Sequence, residues 1–512
     1  MHICRALGAA GVVAVLLCGP AYGQELTVDT AGAGALIDQA LHHSEVMSNL
    51  AYLTDVIGPR LTGSPAVLQA NQWTLARFRD YGLVAHLEPW TFGGSWTRGP
   101  IRVSLVAPRA HDVIAASWGW APGTGGTTRT GPVVRIEGTV PDSFVTQRRR
   151  VKGAWLMVRE PSFVWNSDGP AMEAADSARR EQFLRNYSAP SQGADSATRA
   201  RLQQFANDLP YLLRRAGAFG IVVDAGKEQG LLNMSGSPNR ILPLPQIVVA
   251  HEDYTLLDRL LAAGAVPRLA ASIVNGMSRD SIPQWNTIAE LRGTERPGEV
   301  VIVGAHLDSW DLGTGATDNG TGAMCVLAAA RAIAQSGLRP KRTIRFVLFT
   351  GEEQGLIGSR KYAEAHAAEA DSVQAVLVLD NGTGAITGQS LQGRGDLEGL
   401  WRGILMPVAS LGADSVVNRS KGGTDHLAFL PYGVPAFNFN QLERGYSHTH
   451  HSQSDTYDKA VAADLVQASA VLAVAAYELA NLPGMIPRGE RSAPTPVQAV
   501  QVSDSLLTRR SR

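Results

Sequence analysis

An α/β fold with a mixed, mostly parallel central sheet flanked by helices is what this 512-residue sequence predicts, and three observations predict it. From Asn286 onward, apolar strand-like runs alternate with helical patterns, the rhythm of a sheet covered on both faces. Acids and a histidine stand where those strands end, and open α/β sheets build their sites outside the carboxyl ends of strands. Between residues 125 and 269 the texture changes to short β-like runs and turns, which marks a β-rich module inserted into the larger unit.

The elements follow in order. At the N-terminus, Arg5 precedes an apolar run from Ala6 to Leu17 and a small-x-small site at Ala21-Tyr22-Gly23. That is the pattern of a cleaved secretory signal over 1–23, so the mature chain is expected to be secreted, periplasmic or extracellular. No later stretch is expected to span a bilayer. Cleavage removes Cys4 and Cys18 and leaves Cys325, which excludes an internal disulfide and a Cys/His metal cluster. Lys+Arg 46 against Asp+Glu 46 argues against a nucleic-acid partner or a polybasic membrane surface.

From Ala31 to Phe92 the pattern gives two or three helices and a strand, broken at IGPRLTGSP by Gly and Pro. His42 and His43 belong to an amphipathic helix surface. In the inserted stretch, GPVVRIEG, GAWLMVRE, AFGIVVDAG and LPQIVVAH are strand-like, and an Arg- and Ala-rich helical segment interrupts them. Arg148-Arg149-Arg150 is a solvated run. His251-Glu252 begins like a zinc-binding HExxH helix, but Thr255 occupies the second histidine's place. Then GEVVIVGAH, TIRFVLFT, QAVLVLD and VPAFNFN are strands. GTGAMCVLAAARAIA, LIGSRKYAEAHAA and DLVQASAVLAVAAYELANL are helices, and the tail 485–512 is loose.

The strand ends carry the chemistry. VVIVGAH delivers His306 and continues to Asp308. The next loop brings Asp318 to a helix start, TIRFVLFT leads to Glu352-Glu353, and QAVLVLD ends in Asp380. Crowded carboxylates are costly unless cations neutralise them, and the number of donors suggests two divalent ions. His306 and Asp380 would serve one ion, Glu353 and a further imidazole the other, with Asp318 bridging. Asp308 is placed to orient His306, and Glu352 to act as general base. The stretch YSHTHHSQSDT, 446–456, offers His448, His450 and His451, and these residue types alone leave open which one binds.

In this order, GAHLDSWDLGTGATDNGTGA, FTGEEQGLIGS, LDNGTG, GGTDHLAF and HHSQSDT resemble the co-catalytic zinc exopeptidases of the aminopeptidase Y family, and most nearly its plasma glutamate carboxypeptidase-like branch. The likeness runs from about residue 35 to 480 and includes IGPRLTGSP and a module similar to a protease-associated domain. It implies the zinc exopeptidase fold and two Zn2+ per chain. His306, Asp318 and Asp380 would hold one zinc; Asp318, Glu353 and His451 would hold the other. His451 is implied because it precedes Ser452, with Asp455 and Thr456 beyond. The resemblance also implies Glu352 as base, a cis bond between Asp318 and Asn319, and His450, Asp425 and His426 as residues of the cleft. Where several relatives carry a tyrosine before the late ligand, this chain has His450, so His450 or a zinc would steady the oxyanion.

The implied domains are 24–124 and 270–484 for the peptidase, with 125–269 inserted. The implied reaction is hydrolysis of dipeptides or short peptides from a free end, aminopeptidase action favoured over carboxypeptidase action, by water activated between the ions. Arg419 or Lys421 could meet a substrate carboxylate, but surface solvation is the expected reading for both. Cys325 is expected to be a small buried residue, and a homodimer is compatible with the sequence. The alternatives are a non-catalytic receptor or scaffold of the same architecture and a one-zinc glutaminyl cyclase.

Overall fold

A computed structural model describes residues 12–15, 26–136, 147–162, 164 and 195–494. The signal-sequence expectation falls almost wholly outside these residues, as does the tail beyond 494. The chain forms two compact units. Among described residues, the first takes the N-terminal part up to Phe92, then Pro283–Tyr446 and Asp455 onward. The second takes Gly93–Ile282 and the short piece Ser447–Ser454.

The first unit is built on an eight-stranded sheet. Its strands are β1 (Val84–Phe92), β2 (Ile282–Leu291), β3 (Arg296–His306), β4 (Arg342–Phe349), β5 (Val373–Val378), β6 (Ile386–Ser390), β7 (Ser415–Val417) and β8 (Ala436–Gln441). They lie in the order β7-β6-β8-β5-β3-β4-β2-β1. The central run β8-β5-β3-β4 is parallel, β2 pairs antiparallel to β4 and β6 antiparallel to β8, and the outer pair β6-β7 is parallel again. The central strands read as near-continuous apolar runs because both faces are covered. On β3, Val301, Val303 and Ala305 join the cluster under helices Thr321–Gln335 and Ala462–Asn481, while Val300 and Ile302 face the opposite cluster with Phe349 and Tyr362. Helix Ala462–Asn481 is long and apolar enough to cross a membrane by length and composition, but it lies buried in this core. Its alanines let it approach the sheet and the neighbouring helix closely.

The entry to the site is also specified locally. Ser64 caps helix Pro65–Asp80 by accepting from Val67 N, and Pro65 occupies the first turn, where a missing N–H costs nothing. The helix therefore starts immediately after the segment that carries Arg60 and Thr62.

Among the described residues, the second unit has its own eight-stranded sheet and two long helices, Ser196–Arg215 and His251–Ala262. Trp155, Val222, Ile247 and Tyr254 fill its core. The strand Trp96–Ala107 pairs along Arg268–Met277, so the unit extends to both sides of the 125–269 change in texture. Arg148, Arg149 and Arg150 are exposed on one 3-10 turn. His251 hydrogen-bonds Asp224 through Nδ1, a contact within this unit's framework.

Candidate metal centre

Strand register brings the acids together. His306 is opposite Phe349 on β4, and Gly304 is opposite Val378 on β5. Asp380, two residues past Val378, therefore stands level with His306, while Glu352 and Glu353 follow a short turn after Phe349. The third contributor is the loop before helix Thr321–Gln335. Asn319 Nδ2 donates to Leu379 O at 2.9 Å, which fastens this loop to the end of β5. Gly322 permits the approach: a Cβ there would lie 2.3 Å from the same carbonyl. The Asp318–Asn319 peptide is cis, as the resemblance implies.

One ligand atom each from His306, Asp318 and Asp380 lie within 4.8 Å of one another. His306 Nε2 is 3.3 Å from Asp318 Oδ1, 3.5 Å from Asp380 Oδ1 and 3.9 Å from Glu352 Oε2. The ring is fully buried. Its Nδ1 lies 3.0 Å from the Asp308 carbonyl, which accepts only, so Nδ1 carries a hydrogen. Nε2 has no hydrogen-bond partner. In a neutral ring its lone pair would confront carboxylate oxygens, an arrangement that a proton on Nε2 or a bound cation between them relieves. These donors fit a divalent metal ion of the zinc type.

The Asp308 oxygen nearest His306 Nδ1 is the main-chain carbonyl at 3.0 Å, with the carboxylate at 3.7 Å. The main-chain carbonyl, not the carboxylate, orients His306. The carboxylate instead accepts from Thr62 Oγ1 at 2.7 Å and from the amides of Glu352 and Glu353 at 3.3 and 3.4 Å. It thereby positions the turn carrying both glutamates. Glu353 Oε1 accepts from Trp310 N at 3.1 Å.

Burial, with the charges of Asp380, Asp425 and Glu353, holds the Glu352 carboxyl well above the carboxylate range against the pull of His306. Glu353 is raised by burial and by Asp318. His306 itself is raised: burial lowers it, but the fields of Asp380 and Glu352 and the nearby carboxylates of Asp308 and Asp318 outweigh it. Asp425 is fully buried and pushed up to about 7 by burial, with Ser359 and His306 opposing. Its neighbour His426 is pushed down to about 4 by burial and is neutral.

Three residues that the sequence expectations left without a role also belong here. Asp455 accepts from Thr317 N at 2.6 Å, Thr317 Oγ1 at 2.8 Å and Asp318 N at 3.1 Å, so it steadies the Asp318 loop. Arg60 is buried beneath the same loop, with Asp455, Asp308, Glu353 and Asp318 in its field. Tyr446 packs over Gly382, where an added Cβ would lie 2.8 Å from its ring, and its phenol is raised by burial and by Asp318, Asp380 and Glu353. The HHSQSDT and IGPRLTGSP motifs contained the first two, but nothing in their spacing announced burial.

His450 and His451 belong to the second unit, on Ser447–Ser454. There Met234 N donates to His451 O at 2.9 Å, and His451 Nδ1 donates to Met234 O at 3.0 Å. Gln453 bonds Leu232 N and Gly230 O, and Lys227 Nζ donates to His450 O at 2.8 Å. His451 has φ 57°, a left-handed conformation uncommon outside glycine. Its fixed tautomer leaves Nε2 as the lone-pair atom.

Comparison with known proteins agrees with this chemistry. Residues 286–476 match Peptidase family M28. Carboxypeptidase Q of Rattus norvegicus is 31% identical over 463 residues, covering 89% of this chain and 90% of that protein. Carboxypeptidase Q of Homo sapiens is 29% identical over 462 residues, with 89% and 90% covered. The peptidase M28 precursor of Shewanella amazonensis SB2B superposes with TM-score 0.72 at 24% identity, over 90% of this chain and 99% of that one. A zinc aminopeptidase of Bacillus subtilis gives TM-score 0.59 at 18% identity, over 85% and 94%. These two structures share the fold. With the full-length similarity to carboxypeptidase Q and buried donors suited to a divalent ion, the chain belongs to peptidase family M28 and is a metallopeptidase.

Proposed function

We propose that this metallopeptidase is an exported di-zinc exopeptidase that hydrolyses dipeptides and short peptides, releasing the N-terminal residue. The observation that carries the reading is His306 Nε2, buried without a hydrogen bond and faced by carboxylate oxygens. His306, Asp318 and Asp380 would hold one zinc; Asp318, Glu353 and His451 would hold the other. Support for His451 comes from its Met234-fixed tautomer, its left-handed backbone and its place four residues before Asp455, which bonds the Asp318 amide. The export signal over 1–23, the aminopeptidase Y, plasma glutamate carboxypeptidase-like assignment and the protease-associated character of the inserted module rest on sequence.

Bound zinc supplies Lewis acidity and lowers the pKa of the attacking water. The chain's own residues do the rest. Asp308 keeps the His306 ring in one tautomer through its carbonyl and aims the Glu352 turn through its carboxylate. Glu352, beside the ligand cluster, accepts the water's proton on a carboxylate oxygen and passes it to the leaving amine nitrogen. For that it must be ionised at rest, a form that bound zinc would favour against the effect of burial.

Glu352→Gln keeps the size and removes the base. It is expected to retain two zinc ions by elemental analysis while turnover of an unblocked dipeptide falls by about 1,000-fold or more. Near-normal turnover would overturn the assignment of Glu352. One zinc in active wild-type protein would overturn the two-ion reading.

A further inference from the structure

Lys421 does not sit where its sequence expectation put it. Arg419 is exposed, but Lys421 is half-buried and donates from Nζ to the Phe439 carbonyl at 2.7 Å. Among the described residues no carboxylate pairs with this ammonium, and its hydrogen bond goes to a neutral acceptor. Burial pushes it down to about 8, with Asp380 acting in the opposite direction. A cation withdrawn from water without an acidic partner is an unfavourable arrangement that an anion would relieve.

Its surroundings say where that anion would lie. The Phe439 carbonyl also accepts from Asn381 Nδ2 at 3.0 Å, so the ammonium shares its acceptor with the residue after Asp380. The backbone is pinned: Lys421 N donates to Gln392 Oε1 at 2.6 Å, and Gln392 Nε2 donates to Lys421 O at 2.9 Å. After the exposed Gly422-Gly423 pair, the loop reaches Asp425, which lies in the fields of His306 and Asp380. The loop therefore has a fixed cation at one end and the catalytic cluster at the other, and neutral His426 adds no competing charge.

We propose that Lys421 receives the free α-carboxylate of the residue that follows the scissile bond. The proposal rests on the exopeptidase reading above and narrows it. An ammonium that already spends one hydrogen on Phe439 keeps two for a carboxylate.

The test uses zinc-loaded full-length protein with L-alanyl-L-leucine, its C-terminal amide and its N-acetyl derivative. Wild type should favour the acid over the amide by about 10- to 100-fold in kcat/KM, the range for one charge-assisted hydrogen bond, with the difference mainly in KM. K421M should bring that ratio close to one, and K421R should retain a preference. The ratio is insensitive to the folded fraction, because both peptides report on the same active molecules; K421Q repeats the measurement should K421M fail to fold. A wild type that cleaves acid and amide alike, or a K421M that keeps the ratio, overturns the proposal. A wild type that cleaves none of the three overturns the peptidase reading, a distinct result. Cleavage of the N-acetyl derivative with the same Lys421 dependence supports the subsite and removes the preference for a free N-terminus.

Discussion

Replacing Arg60 by methionine should destabilise the first unit severely. The guanidinium is fully buried and donates from Nε to Leu307 O at 2.8 Å, from Nη1 to Gly58 O and Thr314 O at 2.9 and 2.8 Å, and from Nη2 to Gly315 O at 2.7 Å. It is charged at neutral pH: burial pushes it down to about 10, while Asp455 and Asp308 pull it up. Methionine fills much of the volume but leaves four buried carbonyls without their donor. Hydrogen bonds to a charged group contribute about 1.5–3 kcal/mol each, yet such losses at one residue are not additive. Breaking a buried charge network usually costs about 3–5 kcal/mol, so about 4 kcal/mol is the working figure. At about 2–4 °C per kcal/mol for a domain of this size, Tm falls by about 8–16 °C. Calorimetry at pH 7 with saturating zinc for both proteins measures the shift. Arg60→Lys should fall between them, since one ammonium cannot span four carbonyls. A methionine variant melting within about 2 °C of wild type would refute the reasoning, because it would mean that those carbonyls need no donor.

Two further outcomes follow from groups outside the centre. Glu478 is buried on helix Ala462–Asn481, and burial, with Asp29 nearby, pushes it up to about 7 from the usual 4.5. The folded form therefore favours the proton: this stabilisation is full below about pH 4.5 and is lost as pH rises through 7. Glu478→Gln should thus gain on wild type by roughly 3 kcal/mol between pH 4.5 and pH 8 in urea melts; a pH-independent difference would contradict it. The Cys325 thiol is buried and pushed up to about 12 by burial, so an aromatic disulfide reagent at pH 8 should label it only after unfolding in guanidinium. Rapid labelling of the native protein would show that the helix opens.

What could be read from the sequence was periodicity and placement. Runs such as VVIVGAH and QAVLVLD are apolar on both faces, so their strands and the residues at their ends were predictable without tertiary information. That is why His306, Asp318 and Asp380 come together as expected. What stayed hidden depends on the path of distant chain. Asp308 was expected to orient His306, and spacing could not show that its main-chain carbonyl is the nearer oxygen. Arg60 and Lys421 look like ordinary surface cations until Leu307, Thr314 and Phe439 supply carbonyls around them. The extent of the second unit was obscured for the same reason, because Trp96–Ala107 is tied to Arg268–Met277 by pairing that no local pattern displays.

The charge balance of the first unit argues that metal loading and proton release are one event. Glu352, Glu353, Asp425 and Asp455 are all held above the usual carboxylate range, each with burial as the largest cause. Arg60 is a buried cation among them, and four of its five hydrogens are committed to backbone carbonyls. Without divalent ions the only remaining way to lower the crowding is to keep protons on some of these groups and on His306. Bound divalent metal would displace those protons, because it favours the ionised oxygens. If Glu352 is the base proposed above, the same displacement would turn it from an acid that cannot accept a proton into a base that can. On that reading metal loading would decide whether a base exists at all.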